Sequence, residues 1–323
     1  MIKEISSPKL KNPIFIAAWP GMGEVAYRSA LFLKEVLSFK VFAKLEAEQF
    51  FKPAAVVVEK GILDIPTAPA GFFYYYKGKN SPDIILFLGE VQPPLEYAEA
   101  FSLHIVNFVK KYKAKTICTF AAKPEPIDHR SESKIWAAAT SSNLLAELEK
   151  MDAKTLPSGQ ISGLNGIILG VGKKKKISGF CLLGEIPFYM VQIENPKATA
   201  GILQILSKYF KLNLNIDSII QRSKFIEEEI DKLISYLKGE SPQPGPSPLS
   251  EEDIEKIKKD LATYTKLPQS AREKIEDLFK KAQKDIGVAN QLKGELDHWN
   301  VYKEYEDKFL GLFKKRPRRN ESH

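Results

Sequence analysis

Up to about residue 238, short apolar runs alternate with longer stretches of helical periodicity. Residues 13–19 are almost wholly apolar and end in Pro20-Gly21-Met22-Gly23. A run this short, closed by turn formers, predicts a buried strand and a tight turn. Residues 24–37 then place Val25, Ala26, Leu31, Leu33, Val36 and Leu37 at helical spacing. Further strands are predicted over 40–47, 56–59, 72–77, 83–91, 116–122 and 179–191. Gly78 and Asn80 make 77–82 a hairpin turn. Helices are predicted over 96–112, 131–151, 196–210 and 216–238. Pro196 opens its helix where a missing amide does no harm. Residues 159–172 are glycine-rich and read as a turn into a packed segment. Apolar strands separated by helices imply an α/β fold, a sheet clad on both faces with right-handed crossovers. The hairpin at Gly78 makes that sheet mixed, though mostly parallel.

The pattern breaks at 239–250, where four prolines and two glycines fall within twelve residues. Such a segment continues neither a helix nor a central strand, so it reads as an extended linker after an α/β domain of 1–238. Ser250 before Glu251-Glu252-Asp253 predicts a capped helix start. Three apolar stripes follow: Ile254, Ile257 and Leu261; then Ile275, Leu278 and Phe279; then a long one from Leu292 through Leu296, Trp299, Tyr302, Tyr305 and Phe309 to Leu312. They predict an all-helical module over 251–313 and leave 314–323 as a basic, disordered tail. Narrow stripes need a covering surface. Trp299, Tyr302, Tyr305 and Phe309 are of residue types that interfaces favour, which makes them candidate protein-binding residues.

Charge and composition narrow the classes. The net charge is +8, yet residues 224–323 hold 20 basic and 20 acidic groups, so the surplus lies in the first 223 residues. The basic runs Lys173-Lys174-Lys175-Lys176 and Lys314-Lys315-Arg316-Pro317-Arg318-Arg319 read as a solvated turn and a tail. No nucleic-acid-binding motif accompanies them, so nucleic acid is not an expected partner. No apolar stretch has transmembrane length, and the first twelve residues lack a signal-peptide core. Cys118 and Cys181 lie inside apolar runs without zinc or disulfide spacing, which predicts two reduced thiols in a cytoplasmic protein.

Four segments can carry chemistry. Trp19-Pro20-Gly21-Met22-Gly23-Glu24 joins strand, glycine turn and helix start, the ingredients of an anion site. It lacks the third glycine of a dinucleotide fingerprint and the Lys-Ser/Thr of a P-loop. The carboxylates Glu46, Glu48, Glu90 and Glu185 fall at predicted strand ends, where paired acids act as acid and base or as magnesium ligands. Asp128-His129-Arg130 puts a histidine beside an acid on a loop. Gly159, Gly163 and Gly166 allow close backbone approach. The candidate ligand-binding residues are Gly21, Gly23, Glu24, Glu46, Glu90 and His129. No complete catalytic set emerges, and neither a cofactor nor a metal is expected.

Five motifs in order resemble the proteasome assembly chaperone type 2 family. They are Trp19-Pro20-Gly21-Met22-Gly23-Glu24-Val25-Ala26, Leu86-Phe87-Leu88-Gly89-Glu90, Gly163-Leu164-Asn165-Gly166, Leu183-Gly184-Glu185-Ile186-Pro187-Phe188-Tyr189 and Asn195-Pro196-Lys197-Ala198-Thr199-Ala200. The resemblance covers about residues 10–225. It implies a three-layer α/β/α fold like that of phosphorylases and hydrolases, assembled into a trimer or tetramer of identical chains. It also implies a role as a protein-binding scaffold or assembly chaperone rather than an enzyme. The family pattern would put glycines after the 116–122 strand, where this chain has Ala121-Ala122. Chaperones of that group can dock through a C-terminal hydrophobic-tyrosine-any tail, which Arg319-Asn320-Glu321-Ser322-His323 does not match. The alternative function is an ATP-dependent ligase or phosphorylase-like enzyme that handles nucleotides or nucleosides, with the Gly21 turn as its anion site.

Overall fold

The structure, a computed structural model, describes residues 1–51, 56–237, 269–283, 285–298 and 301–313. The predicted linker 239–250, the stripe of Ile254, Ile257 and Leu261, Trp299 and the tail 314–323 lie outside the described residues. The chain divides into two compact units, 1–265 and 266–323.

Among the described residues the first unit has eleven strands: β1 (Ile2–Glu4), β2 (Ile14–Ala18), β3 (Lys40–Glu46), β4 (Val57–Glu59), β5 (Ile62–Asp64), β6 (Ala70–Tyr76), β7 (Ile84–Gly89), β8 (Thr116–Glu125), β9 (Ile135–Ala139), β10 (Lys154–Thr155) and β11 (Ser178–Pro187). Its helices are α1 (Val25–Val36), α2 (Ala98–Lys111), α3 (Ser142–Glu149), α4 (Leu164–Lys174), α5 (Pro196–Phe210) and α6 (Asp217–Leu237). Nine strands form one mixed sheet in the order β1-β3-β6-β7-β2-β8-β11-β9-β10. β7, β2, β8 and β11 run parallel at its centre. β1, β3 and β6 add antiparallel pairs on one side, and β9 pairs antiparallel with β11 on the other. The Gly78 turn joins β6 to β7 as a hairpin, as its residues predict.

Strand alternation sorts the core into two layers. Ile16, Leu86, Phe120 and Leu182 pack with Leu33 of α1, Leu144 of α3 and Ile202 of α5. Phe15, Phe87, Ile117 and Cys181 face Ile105 of α2 and Ile168 of α4. A β-carbon on Gly184 of β11 would lie 2.6 Å from Ala198 Cβ and 3.2 Å from its Cα. Glycine there lets α5 approach the sheet. Cys118 and Cys181 are both buried and free, and burial pushes the Cys181 thiol up to about 12.

Two sequence expectations are corrected. Residues 131–151 are not one helix: Ile135–Ala139 is a strand paired with β11, and the helix starts only after Ser141, whose Oγ accepts from the Leu144 amide. Three alanines mimic helix propensity there, and tertiary pairing overrides it. The 116–122 strand continues through Pro124 to Glu125. β2 pairs with β8 only as far as Thr119, so that edge of β8 is open where Pro124 lacks an amide. The packed segment expected within the glycine-rich 159–172 is α4, which starts after the turn at Gly163.

The second unit contains α7 (Gln269–Ala282), α8 (Ala289–His298) and α9 (Tyr302–Gly311). Ile275, Leu278, Phe279, Leu292, Leu296, Val301 and Phe309 form its own core. The long stripe predicted from Leu292 to Leu312 falls on two helices, with buried Val301 as the residue before α9.

Candidate functional site

In a sheet of this kind ligands and partners meet the carboxyl ends of the central strands. The turn after β2 stands there. Gly23 (φ +59°) and Glu24 (φ +51°) adopt left-handed backbone before α1 begins. The Gly23 amide donates to Val191 O (2.8 Å), Gly23 O accepts from the Asn195 amide (2.9 Å), and the Glu24 amide donates to Gly21 O (3.0 Å). The turn therefore docks on residues 188–195, and these polar groups are engaged within the fold. The Glu24 carboxylate pairs with Arg28 at 2.6 Å, and Arg28 lies 3.8 Å from Glu194. Burial works against the Arg28 cation, but its bond to Glu24 and the Glu194 charge raise its pKa overall.

Gln92 links this turn to α4. Its Nε2 donates to Pro20 O (2.9 Å), and its Oε1 accepts from the Leu164 amide at the helix start (3.0 Å). Glu46 and Glu90 flank one residue, Ala70. Glu46 is its register partner, and Glu90 Oε2 accepts from its amide (2.9 Å). Glu46 pairs with Lys3 at 2.9 Å, and that bond holds its carboxyl below the usual range. Glu48 lies in the short 3-10 turn after β3.

Glu185 belongs to a cluster on β8, β9 and β11. It is buried, faces Lys123 in register, and accepts from the Trp136 indole at 2.7 Å. Lys123 pairs with Glu125 and lies 5.0 Å above the Trp136 ring. Burial lowers the Lys123 pKa, against the pull of Glu185.

His129 is buried rather than offered to solvent. Its Nε2 is 2.8 Å from Asp231 Oδ1, and its Nδ1 is 2.9 Å from the Tyr189 hydroxyl, which also accepts from the His129 amide. Arg130 donates to Asp231 Oδ2 at 2.7 Å. Lys197 of α5 donates to the carbonyls of His129 and Ser131 and pairs with Glu227 of α6. The loop is thereby strapped to α5 and α6. Gly21, Gly23 and Glu24 on one side and His129 on the other thus bracket residues 188–195, whereas Glu46 and Glu90 are held around Ala70.

Residues 15–234, from β2 through most of α6, match the PAC2 family. The chain belongs to the PAC2 family. The uncharacterised protein MJ1210 of Methanocaldococcus jannaschii is 26% identical over 252 residues, covering 77% of this chain and 93% of that protein. The crystal structure of Pyrococcus furiosus PbaB, described as an archaeal proteasome activator, is 26% identical. It has a TM-score of 0.62 and covers 72% of this chain and 98% of its own. Pyrococcus furiosus PbaA, described as an archaeal homologue of proteasome-assembly chaperone, shares the fold at 22% identity. Its TM-score is 0.57, with 81% and 98% covered.

In this PAC2 chain the aromatic candidates of the helical unit lie outside the family match. Phe309 is buried in the unit's core, Tyr302 packs on it at 5.5 Å between centroids, and Tyr305 stacks on Phe279 at 5.7 Å. Leu310 and Phe313 are the exposed apolar side chains of that segment. Among the described residues no helix is long and apolar enough to cross a membrane, and no group of three or more His, Cys, Asp or Glu side chains is placed to hold a metal. Sequence reasoning missed Lys123, Trp136, Gln92, Tyr189 and Asp231. Their partners are 49 to 102 residues away for Trp136–Glu185, Gln92–Leu164 and His129–Asp231, so local pattern holds no signal of them.

Proposed function

We propose that this protein is a cytoplasmic, protein-binding scaffold of the assembly-chaperone or activator kind, working as a homo-oligomer on the proteasome core particle and not as an enzyme. The observation that carries this reading is the likeness to PbaB, which extends over 98% of that chain at 26% identity. The family's glycine turn adds support. The Gly23 amide that an anion would need is given to Val191, and Glu24 places a carboxylate beside it. A turn so committed serves to shape the surface formed with residues 188–195.

The test uses the full chain and purified proteasome core particle from the same organism. Co-elution on size exclusion, together with a several-fold rise in peptide hydrolysis or in the yield of assembled particles, is the expected result. Absence of co-elution and of any change in either activity at tens of micromolar protein would remove the proteasome as partner.

A further inference from the structure

The four parallel strands at the centre of the sheet begin level with one another. Ile14 of β2 is the register partner of Ile84 of β7 and of Thr116 of β8, and Thr116 is the partner of Ser178 of β11. The turns that lead into these strands therefore lie side by side along one rim of the sheet. With strands about 4.8 Å apart, the row is about 15 Å across. The four turns, residues 9–13, 77–83, 110–115 and 173–177, hold twelve lysines. Eleven of these lysines are exposed and Lys175 is half-buried. Asp83 is the one acid in the turns, and its carboxylate oxygens accept from the Lys11 (2.7 Å) and Gly78 (3.1 Å) amides. Two acids reach the rim from outside: Glu99 pairs with Lys174 at 2.6 Å, and Glu4 accepts from the Tyr112 hydroxyl at 2.8 Å. Outside the four turns the chain holds 36 basic and 39 acidic residues, so the turns supply the whole of the +8 net charge.

Helix ends account for part of this. Lys110, Lys111, Lys173 and Lys174 lie in the last turns of α2 and α4, where cations complement the helix dipole. The turns before β2 and β7 follow strands instead, and they carry exposed lysines all the same. Within a row about 15 Å across, neighbouring charges stand inside one screening length of about 8 Å, so they act on an approaching partner as a single positive field. Every cation in the four turns is lysine and none is arginine. Arginine's planar fork is the group suited to gripping phosphate, whereas the hydrated lysine ammonium acts as a point charge. A row of such point charges matches a surface of scattered carboxylates better than a phosphate backbone.

We infer that this lysine rim is a docking surface for an acidic protein partner, steering and orienting it at the amino ends of the central strands. This rests on the protein-binding reading above and adds the surface and the chemistry of the partner. Sequence alone showed one run of four lysines in one turn, and the strand register is what joins it to the other three turns.

Fluorescence anisotropy of a labelled glutamate dodecapeptide, titrated with the full chain, tests it. The wild type should bind, with affinity that falls steeply as salt rises. Lys115→Glu with Lys173→Glu should weaken binding about tenfold at fixed salt. Lys60→Glu with Lys224→Glu reverses two exposed lysines away from the rim and should weaken it less than about twofold. Lys115→Gln with Lys173→Gln should fall between wild type and the reversal, which keeps the test decisive if the reversal disturbs the fold. No binding by the wild type, equal losses in the two reversal variants, or a glutamine pair that binds like wild type would overturn the inference. So would a DNA duplex or phosphatidylserine vesicles bound at least about tenfold more tightly than the peptide at matched anionic charge, since the rim would then serve nucleic acid or membrane. A chain that binds the peptide through the rim but does not co-elute with the core particle would defeat the function proposed above and leave this surface standing.

Discussion

Asp231 ties one loop to one helix. It accepts from Arg130 and meets His129 Nε2, and the Arg130 bond, with His129 adding to it, holds its carboxyl below the usual aspartate range. A carboxyl whose pKa falls on folding adds stability above its unfolded value near ~4, and that stability is lost as pH drops through the folded value. Asp231→Asn should therefore cost about 1 kcal/mol at pH 7, a modest figure because a third of the side chain meets solvent. The gap to wild type should narrow as pH falls below the unfolded aspartate value. Urea unfolding at pH 7 and at successively lower pH measures it, and a gap that does not narrow at all as pH falls would show that charge is not its source. Sequence already pointed to Asp128-His129-Arg130, but as a proton-transfer candidate. The acid that engages the imidazole most closely is Asp231, at 2.8 Å against 3.5 Å for Asp128, and it arrives from a helix a hundred residues later.

At the scale of elements, legibility follows how local the cause is. α5 was readable because Pro196 stands at its first turn and its apolar positions recur every three or four residues. β7 was readable because it is buried along its whole length and so has no polar face. β1 was not, since three residues gain strand geometry only by pairing with β3. β5 was missed for the same reason beside β4. The Gly21 turn was recognised, but not the way Asn195 joins it to α5. The Asn195 amide donates to Gly23 O, and its Oδ1 caps the Ala198 amide at 3.0 Å. Asn195→Ala leaves that buried amide without its acceptor and should lower stability by about 1–2 kcal/mol, while Asn195→Asp should restore most of it. Denaturation midpoints of the two variants check this. Equal losses would mean that packing, not the cap, holds Asn195 in place.

At the scale of the whole molecule, the PAC2 match ends at residue 234, and the helices beyond it close a core of their own. Among the described residues that core holds nine buried apolar side chains, Ile275 to Phe309, with Leu292 fully inaccessible. A core of this size contributes roughly 3–5 kcal/mol of net stability. Leu292→Ala removes about 2–5 kcal/mol through lost transfer energy and the cavity left behind, a loss comparable to the whole. The variant should therefore lose amide protection throughout α7, α8 and α9. The sheet draws on different residues, Ile16, Leu86, Phe120 and Leu182 among them, so β2 and β8 should keep their protection. Hydrogen exchange followed by mass spectrometry reads both regions in one experiment. Faster exchange in β2 and β8 alongside the helices would mean that the added module is part of the folding unit of the PAC2 body, and would contradict the separation of cores on which the prediction stands.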